Sequence, residues 1–242
     1  MFGWKRLPVT VTKFMLNQRK AVLQLLLFLA VFHVLWTLRA TWLYTVDESI
    51  GSPTLRSAYS QLIKFLLWVV PAAAFGYWMR GVSPAKYLGL TVFPDRRSWW
   101  LCLSGTFGFL LVVTLVETGM GRKHLSMAGL TSLTIFAGLL QVVVSPLLEE
   151  LLFRGLVMKE LLTLVPPYLA NALTSLLFLG AHLPYWLSHG GLTQAMMRNA
   201  IGVFLFSVLA CWLFSKTASV WPPTFAHIAN NLLSSLLTTN GV

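Results

Sequence analysis

The strongest constraint on the fold is a series of apolar runs at residues 21–38, 62–79, 99–116, 130–164, 168–186, 199–214 and 219–237. A helix needs roughly 20 apolar residues to cross the ~30 Å hydrocarbon core of a bilayer. In lipid each backbone N–H and C=O must find its partner within the protein, which favours helices. The pattern predicts an all-α polytopic membrane protein of seven transmembrane helices, or eight if the long fourth run divides at Pro146, which lacks a backbone N–H. Composition agrees: 57% of the 242 residues are hydrophobic and 10% charged, with a mean hydropathy of +0.73, which excludes a soluble globular enzyme.

The net charge of +11 would suggest nucleic acid in a soluble chain. Here most basic residues fall between apolar runs, where they read as topology signals and contacts to membrane lipids, with no nucleic-acid partner. Seven spans with the amino terminus inside put 12 basic residues on that side and 6 on the other (Arg39, Arg56, Lys64, Arg122, Lys123 and Arg198). The excess predicts an integral, multi-pass protein with a cytoplasmic amino terminus. Lys5, Arg6, Lys13, Arg19 and Lys20 precede the first run as in a signal peptide. The run is long and no small-residue cleavage pattern follows, so it reads as an uncleaved span. The expected organisation is a basic segment over 1–20, amino-terminal transmembrane helices over 21–125 and a functional core over 126–242. Cys102 and Cys211 lie in separate apolar runs with no disulfide or metal-site spacing.

Only seven acidic residues occur in the chain, and two of them, Glu149 and Glu150, are adjacent inside the fourth run. A charge at mid-membrane costs ~2.5–3.5 kcal/mol even on insertion scales, so this placement points to function. Glu150 and Arg154 share one helical face and can pair. Glu149 is rotated by about 100° and misses that partner, which makes it the candidate general base. Two later runs each carry a histidine with a same-face neighbour four residues away: Phe178 before His182, and Asn231 after His227. Glu149 lies 17 residues before Pro166 and His182 lies 15 after Pro167. On antiparallel helices both then stand roughly 22–26 Å from the turn, at matching depth. His33, His124 and His189 lack such a helper and read as interfacial or packing residues.

A carboxylate and a histidine can polarise a water while a second histidine and an amide stabilise an oxyanion, the parts of a peptide or amide hydrolase. The same side chains could hold a divalent metal such as zinc, with Glu149, His182 and His227 as ligands. The spacing leaves that choice open. No His-Glu-x-x-His, Gly-x-Ser-x-Gly or Walker lysine motif is present.

Glu149-Glu150-x-x-x-Arg154, Phe178-x-x-x-His182 and His227-x-x-x-Asn231 together resemble the three ordered motifs of the CAAX prenyl endopeptidase and bacteriocin-processing (CPBP, or Abi) family of intramembrane peptidases. The resemblance spans residues from about 130 to 240. It implies an intramembrane active site in which Glu149 is the catalytic glutamate and His182 its partner in activating water. His227 and Asn231 would be the oxyanion pair, with Glu150, Arg154 and Phe178 supporting. It implies an endopeptidase acting on a peptide or a prenylated protein, either removing the tripeptide after a prenylated cysteine or processing peptides as bacterial relatives do. Family members are described both as metalloproteases and as metal-free glutamate peptidases. The competing class is a noncatalytic scaffold, immunity factor or proton-linked transporter using the same residues as a relay.

Overall fold

The computed structural model describes residues 9–126 and 135–239. Lys5 and Arg6 of the basic segment, and positions 130–134 of the fourth run, lie outside the described residues. The chain is helical almost throughout: α1 (Val9–Thr41), α2 (Tyr44–Ser49), α3 (Pro53–Arg80), α4 (Pro84–Tyr87), α5 (Arg96–Gly119), α6 (135–162), α7 (Pro167–His189), α8 (Gln194–Thr217) and α9 (Trp221–Leu236). Two short strands, β1 (Lys123–Leu125) and β2 (Leu237–Thr239), pair antiparallel. They tie the end of α5 to the end of α9 at one end of the bundle.

Helix starts follow local chemistry. Ser52 and Asp95 cap α3 and α5 by accepting from the Leu55 and Ser98 amides, and Thr193 caps α8 through the Met196 amide. The bonds from Ser98 hold the Asp95 carboxyl below its ordinary pKa. Gly81 ends α3 with a φ of 66°, the left-handed cap that glycine adopts without strain.

Among the described residues, five helical segments are long and apolar enough to cross a membrane: Gln18–Ser49, Pro53–Arg80, Arg96–Gly119, Phe136–Leu162 and Gln194–Thr217. The protein is thus a polytopic helical membrane protein. The two further runs expected as spans form α7, whose apolar surface is interrupted by Asn171, His182 and Pro184, and the 16-residue α9. The outer faces bear large apolar side chains such as Leu23, Leu27, Phe107 and Trp78, a surface suited to lipid and a liability in water.

Pro146 does not divide the fourth run. Residues Leu140–Val144 form a π-turn immediately before it, and α-helix resumes at Ser145. Pro71 in α3 follows the π-turn Phe65–Val69 in the same way. Each wider turn adjusts the hydrogen-bond ladder where a proline cannot donate. A third π-turn, Phe153–Met158, contains Gly155. A Cβ there would stand 2.8 Å from the Leu88 carbonyl oxygen, so this backbone approach requires glycine.

The core lies where α1, α3, α6 and α7 meet. Phe32, Trp68, Phe153 and Phe178 contact edge to face, with centroid separations of 5.4 Å (Phe32–Trp68), 5.6 Å (Trp68–Phe153) and 5.0 Å (Phe153–Phe178). Trp36 Nε1 donates to the Ala181 carbonyl at 2.7 Å and fastens α1 to α7.

Candidate active site

The glutamate pair on α6 stands among this aromatic core. Glu150 and Arg154 are fully buried and joined at 3.1 Å, as their four-residue spacing predicts. Arg154 also donates to the Ser207 hydroxyl at 2.8 Å and to its carbonyl at 3.1 Å, and its guanidinium lies 4.9 Å from the Phe178 ring centroid. Desolvating such a charge is costly, and these partners on α6, α7 and α8 offset that cost.

Glu149 is not left alone by its different helical face. Lys64, on α3, donates to Glu149 Oε1 at 2.7 Å and to the Ser145 hydroxyl at 2.6 Å. Ser145 in turn donates to Glu149 Oε1 at 3.1 Å. The lysine ammonium is 5.0 Å from the Trp68 ring centroid, a further cation–π contact. The charge count places Lys64 with the basic residues on the side opposite the amino terminus. The contact instead draws a residue of the amino-terminal half into the site.

Glu149 Oε2 and Glu150 Oε2 are buried without a hydrogen-bond partner among the described residues. Glu149 Oε2 lies 3.8 Å from His227 Nε2, and His227 Nδ1 lies 2.8 Å from Glu150 Oε1. His182 Nδ1 lies 2.8 Å from the Phe178 carbonyl. A carbonyl and a carboxylate can only accept, so in both rings Nδ1 carries the proton and donates, and in a neutral ring the lone pair sits on Nε2. Phe178 fixes His182 through its carbonyl and packs against both histidines, at 4.9 Å from His182 and 5.9 Å from His227. Phe206 also packs against His227, at 4.6 Å.

Glu149, His182, His227 and Asn231 line one cavity of about 550 Å³, together with Phe178 and Asn230. The cavity extends to Lys123 and Leu237 at the strand pair and to Arg122 and Arg198. The structure thus brings together the residues expected at the site. Two features depart from the spacing argument: Glu149 has a cationic partner, and His227 bonds the same Glu150 oxygen that Arg154 holds. His33 and His189 contact their own helices and aromatic neighbours, His33 on Phe32 and His189 on Tyr44 and Tyr185.

Among the described residues no three His, Cys, Asp or Glu side chains converge as ligands. The Lys64 ammonium stands beside Glu149, and both histidines use Nδ1 to bond protein oxygens.

Residues 131–233 match the family model described as type II CAAX prenyl endopeptidase Rce1-like. No curated protein and no solved structure matches the chain. The matched stretch holds all three motifs but stops short of Lys64. Over these 103 of its 242 residues the chain is similar to the CAAX prenyl endopeptidase and bacteriocin-processing family of intramembrane peptidases.

Proposed function

We propose that the protein is an intramembrane endopeptidase in which Glu149 activates water for attack on a peptide carbonyl. One observation carries the reading: a buried carboxylate has one oxygen fixed by Lys64 and Ser145, while its other oxygen lacks a protein partner beside His227. A water about 2.8 Å from Glu149 Oε2 can also donate to a histidine Nε2, and His182 is the partner favoured for it. Glu149 takes a proton as the hydroxide adds to the carbonyl carbon, then gives it to the leaving amine as the C–N bond breaks. The Asn231 amide and a protonated His227 donate to the oxyanion. Glu150 and Arg154 hold His227 in place, and α7 and α9 complete a seven-span bundle.

The family also supplies the substrate class, a peptide or prenylated protein. Three candidate spans separate the start of α1 from β1, so the cavity end marked by the strands lies opposite the amino terminus. With the amino terminus cytoplasmic, as the basic excess favours, the mouth opens on the non-cytoplasmic side. Exported peptides then fit better than cytoplasmic prenylated proteins. Lys64, paired with Glu149, and buried Arg154 drop out of the loop count, one from each side, and the excess persists.

The test is cleavage by the purified protein in proteoliposomes of known orientation. A peptide library and a farnesylated CAAX peptide are each presented with and without a strong chelator. Cleavage that survives chelation is expected, with the unprenylated peptides cut from the strand-pair side. Loss with chelator and recovery with zinc would replace the glutamate mechanism with a metal one. Absence of cleavage from either side would favour the noncatalytic relay.

A further inference from the structure

The opposite end of the bundle carries two adjoining hollows that the hydrolytic site does not use. The first, of about 500 Å³, is lined by Gln18, Arg80, Tyr87, Lys159, Glu160 and Thr163. The second, of about 510 Å³, is lined almost wholly by aliphatic side chains, among them Leu25, Leu29, Leu161, Val165, Leu173 and Leu177. They meet at Gln18, which lines both, and at the end of α6 and just past it, where Lys159, Glu160 and Thr163 on the polar side alternate with Leu161 and Leu164 on the apolar side. A polar chamber thus opens into an apolar groove between α1, α6 and α7, running along α1 from Gln18 to Leu29.

Charges in the polar chamber favour an anion. Arg80 is paired with Glu160 at 2.5 Å, and the Tyr87 hydroxyl donates to the same carboxylate at 2.6 Å. Lys159 donates to the Tyr87 carbonyl at 2.7 Å, and its ammonium carries three donors. Exposed Arg19 and Lys20 follow Gln18 directly on α1. One acid therefore faces two cations in the chamber, and two more follow Gln18 on the same helix. A head group alone would leave the groove empty, and an apolar chain alone would leave the lysine without an anion.

We propose that this end binds one anionic phospholipid, its phosphate at Lys159 with Arg19 and Lys20 nearby and one acyl chain in the groove between α1 and α7. The groove depth suits the chain: residues 18 to 29 of α1 rise about 16 Å at ~1.5 Å per residue, roughly half the hydrocarbon thickness. The site is separate from the Glu149 cavity, so its occupancy is read without reference to peptide cleavage.

The test is native mass spectrometry of the full-length protein from dodecyl maltoside after incubation with phosphatidylglycerol or phosphatidylcholine. Wild type is expected to keep one phosphatidylglycerol through delipidation, with at least fivefold preference over phosphatidylcholine. Lys159→Gln is expected to bring the two lipids to parity. Leu176→Trp, at a half-exposed position lining the groove, is expected to weaken both. Soluble glycerol phosphate is expected to leave the adduct in place, since it lacks the chain. Arg19→Gln with Lys20→Gln, on exposed positions that leave the core intact, is expected to reduce the preference in part. Equal retention of the two lipids by wild type, no retained lipid, displacement by glycerol phosphate, or unchanged binding in folded Lys159→Gln and Leu176→Trp would each overturn the proposal.

Discussion

Two buried glutamates on α6, eleven residues apart, have been given opposite environments. Glu160 has both oxygens filled: Arg80 Nε and the Tyr87 hydroxyl reach Oε1, and the Arg80 guanidinium also reaches Oε2. Burial and the bond to Glu160 push the Tyr87 phenol pKa well above its ordinary value, so that donor keeps its proton. Glu149 has one oxygen doubly bonded to Lys64 and Ser145 and the other without a protein partner. An unpaired buried acceptor costs about 1–3 kcal/mol, and of the two such oxygens at the site, Glu149 Oε2 and Glu150 Oε2, only that of Glu149 belongs to a residue lining the cavity. An oxygen of Glu149 without a protein partner, on a residue lining a cavity with two histidines, is the arrangement expected of a group that works on a water or a substrate.

The comparison can be broken by removing partners. Arg154→Ala strands Glu150 in the bundle interior, and breaking a buried pair costs about 3–5 kcal/mol. Unfolding in mixed micelles should register a loss of that size, larger than for any other single change in the network. Lys64→Met removes a charge-assisted hydrogen bond of about 1.5–3 kcal/mol, so a roughly ten- to hundredfold fall in kcat is expected. KM should change little, because Lys64 orients Glu149 and does not line the cavity. Lys64→Arg should recover part of the rate, which a purely structural lysine would not require.

Glu160→Gln sharpens the contrast from the other side. The half-exposed Arg80 can turn to water, so a stability loss of about 1–2 kcal/mol is expected. Cleavage per folded molecule should not move. Gly155→Ala forces a methyl towards the Leu88 carbonyl, and overpacking of this kind costs about 1–3 kcal/mol. Its expected effect lies at the low end of that range, because the Leu88 connection can shift; a thermal unfolding series would measure it.

The helical fold and the meeting of Glu149, His182, His227 and Asn231 in one cavity were legible from the sequence. Charge cost marked α6, helical spacing paired Glu150 with Arg154, and the prolines at 166 and 167 set the depth of His182. Lys64 was not read, because its contact spans 85 positions and a lysine near the start of a span ordinarily reaches the interface. A charge balance would have pointed to it: two acids and one arginine inside the membrane leave one carboxylate without a cation. The π-turns escaped because they interrupt the 3.6-residue period that pattern reading assumes. The helices that bring the histidines are also less apolar or shorter than a full span, since the polar groups they carry dilute the hydropathy that marks one.

Glu149→Gln keeps the shape of the side chain and removes its capacity to take a proton, so it tests the central claim most directly. Substrate binding and single-turnover cleavage would be measured on the same folded preparation in proteoliposomes, using whichever peptide the wild type cuts. General-base catalysis by Glu149 predicts binding within a few-fold of wild type and cleavage slowed by about 10²–10⁴. Cleavage at the wild-type rate by a folded Glu149→Gln protein would contradict it and return the network to a structural or proton-relay role.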